Sequence, residues 1–179
     1  MIVAIPILLY GLKTSPVLPS PILDLFTLKT HVASYVMEGN SLLYALAKII
    51  TFGHFLPDGI HDVTINQWAF AGWTGLLITG LNLIPIGQLD GGHALYALFG
   101  ERARTLFYPI LIGFGVLATI YTDWALWVIL LITFGRVYAT PLDTITPLNR
   151  GRRVIAILAL IVFVLVFTPI PFQGYTAGG

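Results

Sequence analysis

The chain has 179 residues, of which 57% are hydrophobic and 9% are charged, and its formal net charge at pH 7 is +1. Soluble domains carry about a quarter of charged residues, so this composition, with a mean hydropathy of +0.89, excludes an ordinary soluble domain and indicates an integral membrane protein. The absence of a basic stripe argues against a nucleic-acid partner. The absence of cysteine excludes disulfides and thiolate metal ligands.

The N-terminal third divides into a short apolar stretch and a polar region rich in proline. Residues 1–12, MIVAIPILLYGL, are too few to span a bilayer, and we interpret them as the end of a truncated helix. Residues 13–66 are predicted to be a loop and interfacial region, because closely spaced prolines prevent a continuous helix. Within this region, residues 41–56 form an apolar helix that either lies at the interface or crosses the membrane. Lys48 of this helix is predicted to extend its ammonium group to the surface.

Residues 67–172 are predicted to form the core membrane helices. The first is NQWAFAGWTGLLITGLNLIP, which places Trp68 and Trp73 at a membrane interface and Gly72 where another backbone can approach closely. Three further spans are predicted at residues 103–121, 124–139 and 152–170. Only two residues separate the first two of these spans, which therefore form a tight hairpin.

Basic residues predict the orientation of these helices, because Lys and Arg accumulate on the cytoplasmic side of a membrane. The basic residues that flank the predicted spans are Arg102, Arg104, Arg136, Arg150, Arg152 and Arg153. They place the LDGG end of the first core helix on the cytoplasmic side, or on the matrix or stromal side of an organelle membrane. The predicted location is a bacterial or archaeal cell membrane, with a plastid membrane as the alternative.

A polar segment, NLIPIGQLDGGH, interrupts the apolar pattern at residues 82–93. Pro85 and Gly87 break the helix, and a new helix is predicted to begin near Asp90. Inside a bilayer, such a break persists only where the freed backbone groups are buried in protein or face a water-filled cavity. On the residues alone, Asp90 caps the new helix, binds a metal ion, or relays protons or ions in a transporter.

The same segment resembles a known signature. NLIPIGQLDGG is similar to the second motif of the site-2 protease family, intramembrane zinc metalloproteases in which an Asn and a Pro precede a Leu-Asp-Gly. The surrounding string, AGWTGLLITGLNLIPIGQLDGGHALYALFG, resembles the bacterial and plastid members that lack a PDZ domain. The resemblance covers roughly Gln67 to Phe172, and its central motif is highly specific.

The resemblance implies a role for each matching residue. Asp90 matches the third zinc ligand of the family. Asn82 matches the residue whose side chain hydrogen-bonds the substrate backbone or the oxyanion, and Pro85 matches the residue that helps to unwind the helix. Gly91 and Gly92 match the small residues behind the ligand, where a side chain would crowd the metal or a neighbouring helix. His93 belongs to the subgroup's sequence and is not implied to be a ligand.

The other family signature, HExxH, is absent. In that motif two His on one helical face share the zinc, and the Glu acts as general base for the attacking water. No histidine of this chain has another four positions away; the four are His31, His54, His61 and His93. We therefore expect the two His ligands and the Glu to lie upstream of Met1, and this chain to be the C-terminal part of the enzyme.

The resulting prediction is an all-α, polytopic transmembrane helical bundle with a broken helix at the LDGG motif. The resemblance implies a metalloendopeptidase that uses Zn²⁺ to cleave transmembrane protein substrates within the lipid bilayer, the present chain being inactive alone. One alternative is a non-catalytic fragment or pseudoprotease that binds membrane partners. Another is half of a transporter with an ion site at Asn82 and Asp90.

Overall fold

The computed structural model describes residues 1–19, 34–135 and 149–176, which are mostly helical. In chain order the elements are α1 (Ala4–Lys13), β1 (Val17–Pro19), β2 (Ser34–Glu38), α2 (Leu42–Phe52), β3 (His61–Val63), α3 (Gln67–Asn82), α4 (Asp90–Phe99), α5 (Ala103–Ile120), α6 (Ala125–Phe134), α7 (Arg150–Val166) and β4 (Phe172–Thr176). They group into two compact units, Met1–Thr79 with Val166–Gly179 and Gly80–Leu165.

In the first unit, α1 packs directly against α3. A Cβ atom at Gly11 of α1 would overlap the backbone of Ala69, and one at Gly72 of α3 would overlap the backbone of Leu8. Leu8 and Leu12 are 1% and 0% exposed, respectively. The prediction that Gly72 allows close approach of a second backbone is therefore confirmed, since helices approach closely where small residues line the contact.

The two tryptophans of α3 have different environments. Trp68 is 57% exposed, as expected for an interface residue, whereas Trp73 is 1% exposed. The indole N–H of Trp73 donates to the carbonyl oxygen of Gly39 at 2.8 Å, and the ring packs against Phe172 with a centroid distance of 5.2 Å. The predicted interface position of Trp73 is therefore wrong, because the protein itself satisfies the polar end of the ring.

The all-α prediction is confirmed only in part: the described residues are mostly helical, but the first unit also contains two small antiparallel sheets. β1 pairs with β3, with Val17 opposite Val63, and β2 pairs with β4, with Val36 opposite Gly174. The strands have three or five residues each, too few for a clear alternation of apolar and polar residues in the sequence. The region predicted as loop at residues 13–66 thus contains three of the strands as well as α2.

In the second unit, α5 and α6 form the predicted hairpin. A 3₁₀ turn at Thr122–Trp124 joins them, and Phe114 of α5 packs against Trp124 with a ring-centroid distance of 5.3 Å. The last four residues of the predicted span 124–139 lie outside the described residues.

The described residues include one helical stretch, Asp90–Ile120, that is long and apolar enough to cross a membrane. α3 has 16 residues, which corresponds to about 24 Å and is shorter than a typical hydrocarbon core of about 30 Å. α2, with 11 residues, is shorter still. The structure therefore confirms a mostly helical chain with one candidate span, and the number of crossings stays a prediction.

Candidate metal site

The chain leaves the helical path between α3 and α4, at residues 83–89, as the sequence predicts. The N–H of Ile86 donates to the carbonyl oxygen of Ile84 at 2.7 Å, and the N–H of Leu89 donates to that of Ile86 at 3.2 Å, so tight turns replace the α-helical pattern. Gly87 has a φ of 57°, a conformation that favours glycine. Ile84 and Ile86 are both 0% exposed, so the break is packed against protein.

Asp90 is the first residue of α4, and its side chain is exposed. The residue before it, Leu89, occupies the N-cap position, and no side chain caps this helix. The Asp90 carboxylate makes no hydrogen bond or ion pair with the part of the chain that the structure describes. Capping, the simplest alternative role for Asp90, is therefore not adopted, and neither carboxylate oxygen is bound by the described residues.

The other predicted site residues lie beside the same break. Asn82 is the last residue of α3, with an exposed side chain, and Pro85 is partly buried within the turn. His93 is exposed on the first turn of α4, and its backbone N–H donates to the carbonyl oxygen of Leu89 at 3.0 Å. The predicted roles of Asn82 and Pro85 toward a substrate stay predictions.

Gly91 and Gly92 allow the first turn of α4 to lie against the break. A Cβ atom at Gly91 would overlap the carbonyl of Leu83, and one at Gly92 would overlap the carbonyl of Gly87. In the structure, the group crowded by a side chain at either position is thus the preceding turn of the same chain. Both glycines therefore help to set the position of Asp90, because they allow the first turn of α4 to contact the turn that precedes it.

We expect Gly91→Ala to lower the free energy of unfolding by roughly 2 kcal/mol, as overpacking of a tight contact commonly does. The reason is that the added methyl group and the backbone of Leu83 cannot occupy the same space without a shift of the turn. Thermal and chemical unfolding in detergent, with the variant beside the wild type, measures this change.

The matched control for Gly91→Ala is Gly115→Ala in α5, where an added Cβ atom would have no neighbour within 4 Å. Alanine is the better helix former by about 0.5–1 kcal/mol, so this control is expected to be neutral or slightly stabilising. Equal stability of the two variants would show that the turn yields to a methyl group and that the contact is not restrictive.

The described residues supply one candidate zinc ligand and not a complete site. They contain no group of three or more His, Cys, Asp or Glu side chains placed to share a metal ion. His61 pairs with Asp58, with 3.6 Å between Nδ1 and Oδ2, and His54 is exposed just after α2, whereas His31 lies outside the described residues. The predicted role of Asp90 as a zinc ligand stays a prediction.

The first unit contains a buried charged cluster, formed by Glu38, Tyr44, Lys48 and Asp62, that the sequence analysis missed. The Lys48 ammonium lies 3.5 Å from Glu38 Oε1, and the two side chains are 1% and 10% exposed. The Tyr44 hydroxyl donates to the same oxygen at 2.7 Å. The prediction that Lys48 extends to the surface is therefore wrong, because β2 supplies a buried carboxylate for its ammonium group.

Burial dominates the ionisation of this cluster, which lies outside the candidate span Asp90–Ile120. Burial lowers the pKa of Lys48, while the nearby charges of Glu38 and Asp62 act in the opposite direction. Burial also raises the pKa of Asp62, although the Lys48 charge and a hydrogen bond from the Val63 N–H at 2.8 Å oppose this. The sequence around Lys48 does not reveal this pair, because its partner Glu38 belongs to another element, β2.

Comparison with known proteins identifies relatives among plant metalloproteases. Probable zinc metalloprotease EGY2, chloroplastic, of Oryza sativa subsp. indica is 32% identical over 139 residues, which cover 76% of this chain and 25% of that protein. Probable zinc metalloprotease EGY1, chloroplastic, of Oryza sativa subsp. japonica is 36% identical over 147 residues, which cover 79% of this chain and 24% of that protein. The chain thus spans about a quarter of the length of these curated relatives. No solved structure matches it.

The relatives are named as zinc metalloproteases, which is the class of protein that this chain resembles. A match to a family profile identifies the family. The sequence profile described as Peptidase family M50 matches residues 23–122, which is more than half of the chain. The chain therefore belongs to peptidase family M50, and the predicted membership of the site-2 protease family is confirmed. The match overlaps the segment on which the prediction was based and also extends upstream of it.

Proposed function

We propose that the chain contributes a carboxylate zinc ligand and a substrate-binding turn to an intramembrane metalloprotease that cleaves membrane-protein substrates. The observation that carries this proposal is the Asp90 carboxylate, which is exposed and without a partner among the described residues. It stands directly after an unwound segment, in a chain that belongs to family M50. A carboxylate oxygen is a normal ligand in catalytic zinc sites, which keep one position open for water or substrate.

The chain's own residues would orient both the metal and the substrate. A zinc ion held there supplies a Lewis acid and an activated water. The exposed Asn82 amide, at the end of α3, offers a donor and an acceptor to the backbone of a substrate helix that has been locally unwound. Pro85 lacks an N–H and therefore keeps the turn from closing into a continuous helix. The remaining ligands and the general base would come from outside the described residues.

The composition of the chain and its relatives support a proposal for its location. The names of those relatives place them in chloroplasts, and they give no support to the predicted bacterial or archaeal membrane. We propose a membrane location for this chain because of its apolar composition and its candidate span. The plastid alternative agrees with the relatives, and the orientation of the LDGG end stays a prediction.

A chelator experiment on the full-length protein tests the proposed function. The protein is reconstituted in vesicles with a tagged single-pass membrane reporter. We expect 1,10-phenanthroline to stop cleavage and added Zn²⁺ to restore it, because the metal is required for the hydrolytic step. The isomer 1,7-phenanthroline, which does not chelate, is the control and is expected to leave cleavage unchanged.

Two other observations separate the protease from its alternatives. The coding DNA upstream of Met1 supports the proposal if it encodes an HExxH motif in frame. A reporter that co-purifies with the protein but is never cleaved, with Zn²⁺ present, would contradict the protease and support a non-catalytic binder of membrane proteins.

A further inference from the structure

The second unit contains an apolar groove beside the unwound segment. One wall consists of Ile86, Gln88 and Leu89, and the opposite wall consists of α6 residues that include Trp127 and Leu130. Its volume is about 380 Å³. A cavity of about 150 Å³ lined by apolar side chains accommodates a benzene ring, so this groove is large enough for an aromatic or branched aliphatic side chain.

A contact between two glycines holds the walls together. A Cβ atom at Gly87 would lie 2.6 Å from the Cα atom of Gly135, just beyond the end of α6. A Cβ atom at Gly135 would in turn lie 2.6 Å from Cγ2 of Ile86. The turn and the C-terminal end of α6 are therefore in close contact at one end of the lining.

The groove includes the residue that directly precedes the candidate metal ligand. Leu89, which lines it, is bonded to Asp90, and Leu89 and Gln88 both belong to the turn that precedes α4. Among the residues that the structure describes, the lining has no charged side chain and one polar side chain, Gln88, which is exposed. A peptide bound at Asp90 would thus have an apolar recess of side-chain size beside it.

We propose that this groove binds a large apolar side chain of the substrate next to the scissile bond and so determines which membrane segments are cleaved. This inference rests on the proposed function, because it assumes that hydrolysis occurs at Asp90. Gln88 offers an amide to the substrate backbone, while the described apolar side chains of the walls contact the substrate side chain. We call the substrate residue next to the scissile bond the flanking position. Substrates with Leu or Phe at the flanking position are preferred over substrates with Ala or Gly.

A filled groove tests the preference. In the full-length protein, Leu130→Trp is expected to lower kcat/KM for a reporter with Phe at the flanking position at least about tenfold, the scale of discrimination in apolar pockets. For the matching reporter with Ala at that position, kcat/KM is expected to stay within about twofold of the wild-type value, since a small side chain does not fill the groove. The matched control is Leu126→Trp, on the same helix at a side chain that is 61% exposed and outside the groove, which is expected to change neither reporter.

Cysteine mapping provides a readout that needs no catalysis. The chain has no cysteine, so Leu130→Cys and Leu126→Cys each introduce a single thiol into it. In an Asp90→Ala background, a reporter with Cys at the flanking position is expected to form a disulfide with Leu130→Cys and not with Leu126→Cys. Leu130→Ala enlarges the groove and is expected to increase the preference for the Phe reporter over the Ala reporter. This variant tests the proposal even if Leu130→Trp does not fold.

Each outcome decides between named occupants. Equal loss of cleavage of both reporters in Leu130→Trp, without a disulfide at Leu130→Cys, would overturn the proposal. Labelling of Leu130→Cys by a membrane-dissolved thiol reagent, but never by the reporter, assigns the groove to a lipid chain and also overturns it. If this disulfide forms but the protein that retains Asp90, with Zn²⁺ present, cleaves no reporter, the proposed hydrolysis is refuted and the groove is retained as a binding site for membrane segments.

Discussion

Replacing Asp90 by Ala in the full-length protein is expected to lower cleavage of a membrane reporter by about 10³-fold, which corresponds to about 4 kcal/mol of transition-state stabilisation. The carboxylate is exposed and has no partner among the described residues, so its removal breaks no contact within that part of the chain. A large loss of activity therefore reports on what Asp90 binds. Zinc content, measured on the purified variant beside the wild type, is expected to fall together with cleavage.

Asp123→Ala is the matched control for this experiment. Asp123 is also an exposed aspartate of the second unit, in the turn between α5 and α6. Its removal is expected to leave zinc content and cleavage unchanged. If Asp90→Ala and the wild type hold zinc equally and cleave equally, Asp90 is not a ligand, and the proposed metalloprotease loses the observation that carries it.

The location of this candidate site was predictable because its signal is local. Pro85 and Gly87 interrupt an apolar run. Both residues destabilise the interior of a helix, so the sequence itself indicates where the helix breaks. The break and the first residue of α4 accordingly lie where the sequence places them. The hairpin of α5 and α6 was predictable for the same reason, since two apolar helices joined by a very short predicted connection pack side by side.

The sheets were not predictable, because their pairing depends on residues far apart in the chain. β2 and β4 pair across more than a hundred positions, with Glu38 opposite Phe172. The N–H of Gly39 donates to the carbonyl oxygen of Pro171 at 2.8 Å, which extends this contact beyond the strands. Neither strand is long enough to show an alternating pattern.

The ion pair of Lys48 depends on the same sheet. In isolation, a lysine on a short apolar helix is expected to extend toward water. The β2–β4 pairing instead places Glu38 at the end of its strand, where the carboxylate contacts both Lys48 and Tyr44. A tertiary contact thus overrides a local preference, and sequence periodicity carries no information about it.

Glu38→Ala is expected to lower the free energy of unfolding by about 3–5 kcal/mol, because it leaves a buried ammonium group without its partner. Lys48 is 1% exposed and cannot reach water without disrupting the packing of α2. The Tyr44 hydroxyl also loses its acceptor, which lies at 2.7 Å in the wild type. Unfolding in detergent measures the change, and hydrogen exchange of the β2 amides shows whether the loss is centred on the first unit.

Two control variants show whether the effect of Glu38→Ala comes from the buried charge. Glu38→Met combined with Lys48→Met removes both charges and is expected to recover most of the stability, since apolar residues of similar volume replace a buried ion pair at little cost. Glu101→Ala breaks the Glu101–Arg104 pair, which is 3.1 Å long with side chains 67% and 48% exposed, and is expected to cost less than about 1 kcal/mol. If Glu38→Ala is as mild as Glu101→Ala, Lys48 reaches solvent or is neutral in the folded protein, and the cluster does not hold β2 to α2.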